Sequence, residues 1–144
     1  MNSVISIPVP DDLHIAVDRI KDYLKPGRIV FLNGPLGAGK TTLVRAVMER
    51  LGSEDLVASP SFSLINVYQT PGFPVAHFDL YRLEGKEDLE AIGSADFLDG
   101  QYLIFVEWPD KGAGFFPEPD VMIEITISAE ADDRRMTVVE RQDG

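Results

Sequence analysis

The stretch Gly34-Pro35-Leu36-Gly37-Ala38-Gly39-Lys40-Thr41 constrains this chain more than any other, because it fits G-x-x-x-x-G-K-[ST] in full. With glycine and lysine each near 7% of residues, a chance match anywhere in a chain of this length stays below about one per cent. Its surroundings narrow the reading further. Arg28 to Asn33 (RIVFLN) is short, apolar and β-branched, the profile of a buried central strand. The residues from about Gly39 to Leu51 predict a helix with Leu43, Ala46, Val47 and Leu51 on its inner face and Gly52 as its C-cap. Glycines let several backbone N–H groups converge on one concavity, and a helix start adds the positive end of its dipole, so the unit is an anion site. In such a unit Lys40 reaches β- and γ-phosphates and the Thr41 hydroxyl serves Mg²⁺. Pro35 suits a loop position that donates no N–H. Thr42 reads either as a phosphate contact or as an ordinary residue of the helix.

The remaining pattern supplies the frame. Val4 to Val9 alternates and predicts a short strand. Pro10-Asp11-Asp12 starts a helix that carries Leu13, Ala16, Val17, Ile20 and Leu24 on one face and ends at Pro26-Gly27. Phe62 to Tyr68 and Val75 to Phe78 predict an antiparallel hairpin across Pro71-Gly72. Tyr81 to Ile92 reads as a charged surface helix, and Gly93 and Gly100 bracket a shorter helical piece. Tyr102 to Glu107 (YLIFVE) is a second buried strand, Gly112 to Pro119 a loop, and Val121 to Ile127 and Met136 to Glu140 are expected to pair at the end of the sheet. Strands alternating with helices argue α/β, and the hairpins argue a mixed sheet. The expectation is a P-loop NTPase-like three-layer sandwich with a mixed, mostly parallel central sheet, as one domain over residues 1–144.

Composition limits what such a domain can touch. Lys plus Arg number 13 against 24 Asp plus Glu, a net charge of −11. With no Lys/Arg run, so acidic a chain repels nucleic-acid phosphates. The acidity serves solubility or a partner with a basic surface. No apolar run reaches the ~18 residues of a membrane span, and no signal peptide is visible. The absence of cysteine fits a cytoplasmic protein.

Beyond the loop, two acidic positions carry chemistry. Asp79, within His77-Phe78-Asp79-Leu80-Tyr81-Arg82, ends a predicted strand, where it can hold Mg²⁺ or cap the segment that follows. His77 is either a satisfied core histidine or a partner behind the site. Arg82 is a phosphate clamp or an ion-pair partner of Glu84 or Asp88. Glu107 ends YLIFVE where ligands of nucleotide folds bind, a candidate for polarising the attacking water. Trp108 reads as packing, as a wall of the nucleotide site or as an anchor for a partner. Ser59-Pro60-Ser61-Phe62 is either a Ser-Pro turn or a switch segment that lends a hydroxyl to Mg²⁺.

In order, GPLGAGKTT, SPSF, HFDLYR and VEWP, followed by GAGFFPEPDVMIEI, resemble the bacterial TsaE (YjeE) ATPases over about Ile15 to Ile127. The loop alone is shared by very many NTPases; the four motifs in this order are far more specific. Ser61 stands where the family usually has Thr, and Pro35 where an acidic residue is frequent. The resemblance implies an ATPase, weak alone and monomeric, that supports threonylcarbamoylation of adenosine 37 in tRNAs reading ANN codons. Its partners would be TsaD and TsaB, with tRNA met only indirectly through that complex. It implies ATP and Mg²⁺ as cofactors. It places Gly34 through Thr42 and Trp108 at ATP, Thr41, Ser61, Asp79 and Glu107 at the metal, and Lys40 and Glu107 in catalysis.

Three other readings of a phosphate-binding loop compete with this one. A small P-loop metabolite kinase needs a substrate insert and lid arginines, and this chain has eight arginines, three of them after Arg82. A GTPase lacks its N-K-x-D segment here; the three asparagines, Asn2, Asn33 and Asn66, lie elsewhere. A nucleotide-gated binding module would hydrolyse ATP only incidentally.

Overall fold

A computed structural model describes residues 2–8, 13–35, 39–58, 60, 64–91, 93–128 and 133–141. Among these the strands are β1 (Asn2–Pro8), β2 (Ile29–Asn33), β3 (Ile65–Tyr68), β4 (Val75–Asp79), β5 (Leu103–Glu107), β6 (Val121–Ser128) and β7 (Asp133–Arg141). The helices are α1 (His14–Ile20), α2 (Lys40–Arg50) and α3 (Lys86–Ala91), with 3₁₀ turns at Lys21–Tyr23, Ser94–Leu98 and Pro109–Gly112. The strands form one sheet in the order β1-β7-β6-β2-β5-β4-β3. β6, β2, β5 and β4 run parallel in the middle, β7 and β3 run against them, and β1 pairs antiparallel with β7. The sheet is therefore mixed and mostly parallel.

The central strands are apolar on both faces because both are covered. Val30, Leu32, Leu103 and Phe105 pack against Ala16, Val17 and Ile20 of α1 and Leu43, Val44, Val47 and Met48 of α2. Ile29, Ala76, Phe78, Ile104 and Val106 meet Leu80, Leu83, Leu89, Phe97 and Phe116 on the other side. Three layers result. Phe78 centres the second cluster, edge-on to Phe97 at 5.8 Å and to Phe116 at 5.1 Å. Truncating such a fully buried ring to alanine costs about 3–5 kcal/mol.

Three expectations are corrected at element boundaries. The helix expected over Tyr81–Ile92 is confined to Lys86–Ala91, with Ile92 outside the described residues. Asp79 Oδ1 accepts from Tyr81 N at 3.0 Å and Leu83 N donates to Leu80 O at 2.9 Å, so the chain closes a turn before Gly85 instead of entering a helix. The first helix ends at Ile20 and tightens into Lys21–Tyr23 before Pro26-Gly27. The β6–β7 pair does not end the sheet, because β1 pairs with β7 over Asn2–Pro8 and covers its edge. Val9 and the Pro10-Asp11-Asp12 start lie outside the described residues.

Candidate active site

Strand pairing assembles the site before any side chain is considered. Asp79 ends β4 and Glu107 ends β5, and the two are register partners. Glu107 also lies opposite Leu32 of β2. Side chains alternate along a strand. Val75 packs on the α1/α2 side and Phe78 on the other, so His77 and Asp79 share the face that α2 covers. Leu103 and Phe105 set the same face for Glu107. Open α/β sheets bind ligands beyond the carboxyl ends of their strands, and both carboxylates stand there.

The loop delivers α2 to the same place. Gly39 caps α2 at φ 107°, a left-handed conformation open to glycine at little cost. Lys40 is the first residue of α2 and only 5% exposed. Its Nζ donates to Gly34 O at 2.6 Å and lies 3.8 Å from the centroid of the Trp108 ring. Burial pushes the Lys40 ammonium below the usual lysine range, opposed by the nearby carboxylates of Glu107 and Asp79. Thr41 Oγ1 donates to Glu107 Oε2 at 3.1 Å, whereas Thr42 and Pro35 face solvent. Leu36, Gly37, Ala38, Ser59, Ser61 and Phe62 lie outside the described residues.

Glu107 is 3% exposed and His77 fully buried. A carboxylate only accepts, so His77 Nε2 donates to Glu107 Oε2, at 2.5 Å. His77 thus joins both of its readings: it is a satisfied histidine of the core and it stands directly behind Glu107. Asp79 has its capping contact, to a turn and not to a helix, and its carboxylate still ends β4 beside Glu107. Arg82 is exposed on that turn.

Trp108 takes left-handed backbone angles, φ 57° and ψ 52°, which cost a non-glycine residue about 1–2 kcal/mol. That bend turns the chain sharply after Glu107 and sets the indole between the Lys40 ammonium and the Tyr81 ring, 5.1 Å away. Strain of this kind is kept where surrounding contacts over-determine it.

Sequence reasoning missed Tyr68. Its hydroxyl donates to Ala58 O at 3.1 Å and lies 3.2 Å from His77 Nδ1. The signal was present only as alternation: in the β3–β4 register Tyr68 pairs with Val75, on the face that His77 shares.

The donor set suits Mg²⁺, since Thr41, Asp79 and Glu107 offer hard oxygens. Among the described residues no group of three or more His, Cys, Asp or Glu forms a cage. Mg²⁺ in nucleotide sites is commonly held by one or two protein oxygens with phosphates and water, so the set fits that use.

A parallel core strand, a glycine-rich sequence after it, a helix opening on Lys40-Thr41 and carboxylates at the neighbouring strand ends define a P-loop NTPase-like fold. Comparison gives the same result: YdiB of Bacillus subtilis superposes with a TM-score of 0.76 at 26% identity, over 97% of this chain and 87% of that one. The family model described as "Threonylcarbamoyl adenosine biosynthesis protein TsaE" matches residues 8–137, and the chain belongs to the TsaE family. Relatives named tRNA threonylcarbamoyladenosine biosynthesis protein TsaE include one from Haemophilus influenzae, 40% identical over 74% of this chain and 67% of its own length. Another, from Bacillus subtilis, is 36% identical over 88% of this chain and 77% of its own. No helix among the described residues is long and apolar enough to cross a membrane.

Proposed function

We propose that this chain is a cytoplasmic ATPase, monomeric in isolation, that supports threonylcarbamoyl modification of adenosine 37 in tRNAs together with TsaD and TsaB. The reading is carried by one observation: Lys40, Thr41, Asp79 and Glu107 meet at one end of the sheet, with Thr41 bonded directly to Glu107. The relatives' names supply the pathway.

Each residue then has a task. Backbone N–H groups of the loop and the α2 N-terminus hold the phosphates. Lys40 gives its ammonium to the β- and γ-phosphates, and its seat against Trp108 keeps it extended along the site. Thr41 and Asp79 would hold Mg²⁺, with Glu107 beside them; the ion supplies charge neutralisation at the phosphate oxygens. Glu107 orients and polarises the attacking water. The Trp108 ring walls the site and offers an anchor to a docking protein. With a net charge of −11, tRNA contact runs through the partners.

The test is ATP turnover by the chain alone and with TsaB and TsaD. Turnover is expected to rise with the two proteins and without tRNA. Stimulation by tRNA alone to the same level, or phosphate appearing on an added metabolite, would refute it. Glu107→Gln should bind ATP with Mg²⁺ and turn over at least about 10²-fold more slowly. Loss of binding with unchanged turnover per bound ATP would instead make Glu107 a metal or structural residue.

A further inference from the structure

We infer that His77 and Tyr68 are positioning residues that fix the Glu107 carboxylate and tie it to the chain at Ala58. The inference rests on the reading of Glu107 as the group that polarises water. Four groups from four segments stand in one line. His77 Nε2 meets Glu107 Oε2 at 2.5 Å, His77 Nδ1 lies 3.2 Å from the Tyr68 hydroxyl, and that hydroxyl donates to Ala58 O at 3.1 Å. Asn66 Nδ2 donates to the same carbonyl at 3.1 Å.

The placement is costly unless it serves something. β4 reads VAHFD and every residue of it is buried. An imidazole there needs partners on both nitrogens, where an apolar side chain would need none. Both nitrogens have them, and among the described residues Ser94 Oγ is the buried side-chain polar atom left without one. The Tyr68 hydroxyl has one proton to share between Ala58 O and His77 Nδ1, and a buried network so connected is stiff.

Its stiffness falls on Glu107. The glutamate side chain rotates about several bonds, and a bond to one oxygen limits it. Thr41 and His77 both donate to Oε2, and neither uses Oε1. The Thr41 hydroxyl stands on the first turn of α2 and has its own task at the nucleotide. His77 comes from the rigid centre of β4, so it is the fixed anchor. Its ring is fully buried, and Tyr68, 3% exposed, lies against its far nitrogen at 3.2 Å. Ala58, which follows exposed Leu56 and buried Val57, thereby becomes mechanically linked to the carboxylate.

The experiment uses the full chain, with single-turnover ATP hydrolysis, calorimetric ATP affinity and thermal melting measured on each variant. Tyr68→Phe should lose about tenfold in rate with ATP affinity held within about twofold, the pattern of a group acting through another. His77→Ala should lose about 10–100-fold, and His77→Gln, whose amide N–H falls near the place of Nε2, should recover most of it. Tyr68→Phe should add nothing on a His77→Ala background. A native rate in Tyr68→Phe, or additive losses that track the melting temperature, would overturn the proposal. If His77→Ala does not fold, Tyr68→Phe and His77→Gln carry the same test. Glu107→Gln separates the two levels. Impaired Glu107→Gln with native Tyr68→Phe and His77→Ala defeats the positioning role alone. Native turnover in Glu107→Gln defeats the reading of Glu107 and this inference with it.

Discussion

Replacing Lys40 by methionine separates binding from folding, because the same side chain is buried in the fold and aimed at the site. Methionine keeps most of the stem volume and removes the ammonium. In the native chain that ammonium donates to Gly34 O and sits over the Trp108 ring. The charge-assisted bond is worth about 1.5–3 kcal/mol and the ring contact about 0.5–2 kcal/mol. Burying an ammonium costs several kcal/mol in return, so the net effect of the substitution on stability is about zero. Phosphate binding has no such compensation. Losing charge-assisted contacts worth about 3–4 kcal/mol weakens ATP by about 100- to 1,000-fold. The pH dependence adds an independent check. Burial makes folded Lys40 release its proton at lower pH than in the unfolded chain. The unfolded state therefore binds more protons in the window between the two values, and native stability gains from Lys40 as pH rises through it. That gain is absent in Lys40→Met, so the variant's melting midpoint, relative to native, is highest at neutral pH and falls back as pH climbs toward the ordinary lysine range. Calorimetry with ATP and melts over about pH 7–10 measure both. Undiminished ATP affinity, or a midpoint that drops steeply at neutral pH, refutes the reasoning.

Two further changes probe other parts of the molecule. Asp120 is buried at the far end of β2, where Oδ2 accepts from Ile29 N at 2.9 Å and Oδ1 from Arg28 at 3.2 Å. Asp120→Ala orphans a buried N–H and should lower the melting midpoint by about 5–10 °C while leaving ATP affinity native; a loss of affinity without a melting change would show that the loop, and not the sheet, depends on it. Trp108→Ala removes the ring beneath Lys40 and should change ATP affinity by less than about tenfold, yet abolish most of the stimulation by TsaB and TsaD; a variant stimulated normally rules out a docking role for the indole.

Local chemistry was sufficient for what depends on neighbours in sequence. The strand RIVFLN, the glycine-rich loop and the helix behind it are legible because their signals — apolar run, punctuation and 3.6 periodicity — span only a few residues each. Glu107 and Asp79 could be singled out for the same reason, as carboxylates ending apolar strands. Tyr81 to Ile92 misled because its charge pattern is helical, while one carboxylate, Asp79, diverts the chain into a turn and Gly85 delays the helix. The order of the strands, the burial of Lys40 against Trp108 and the Tyr68–His77–Glu107 contacts were not legible. Tyr68 and Glu107 are far apart in the chain, and what joins them is hairpin register and the parallel pairing of β4 with β5. Register is set by the packing of whole sheet faces, so it belongs to the tertiary structure and to no single segment.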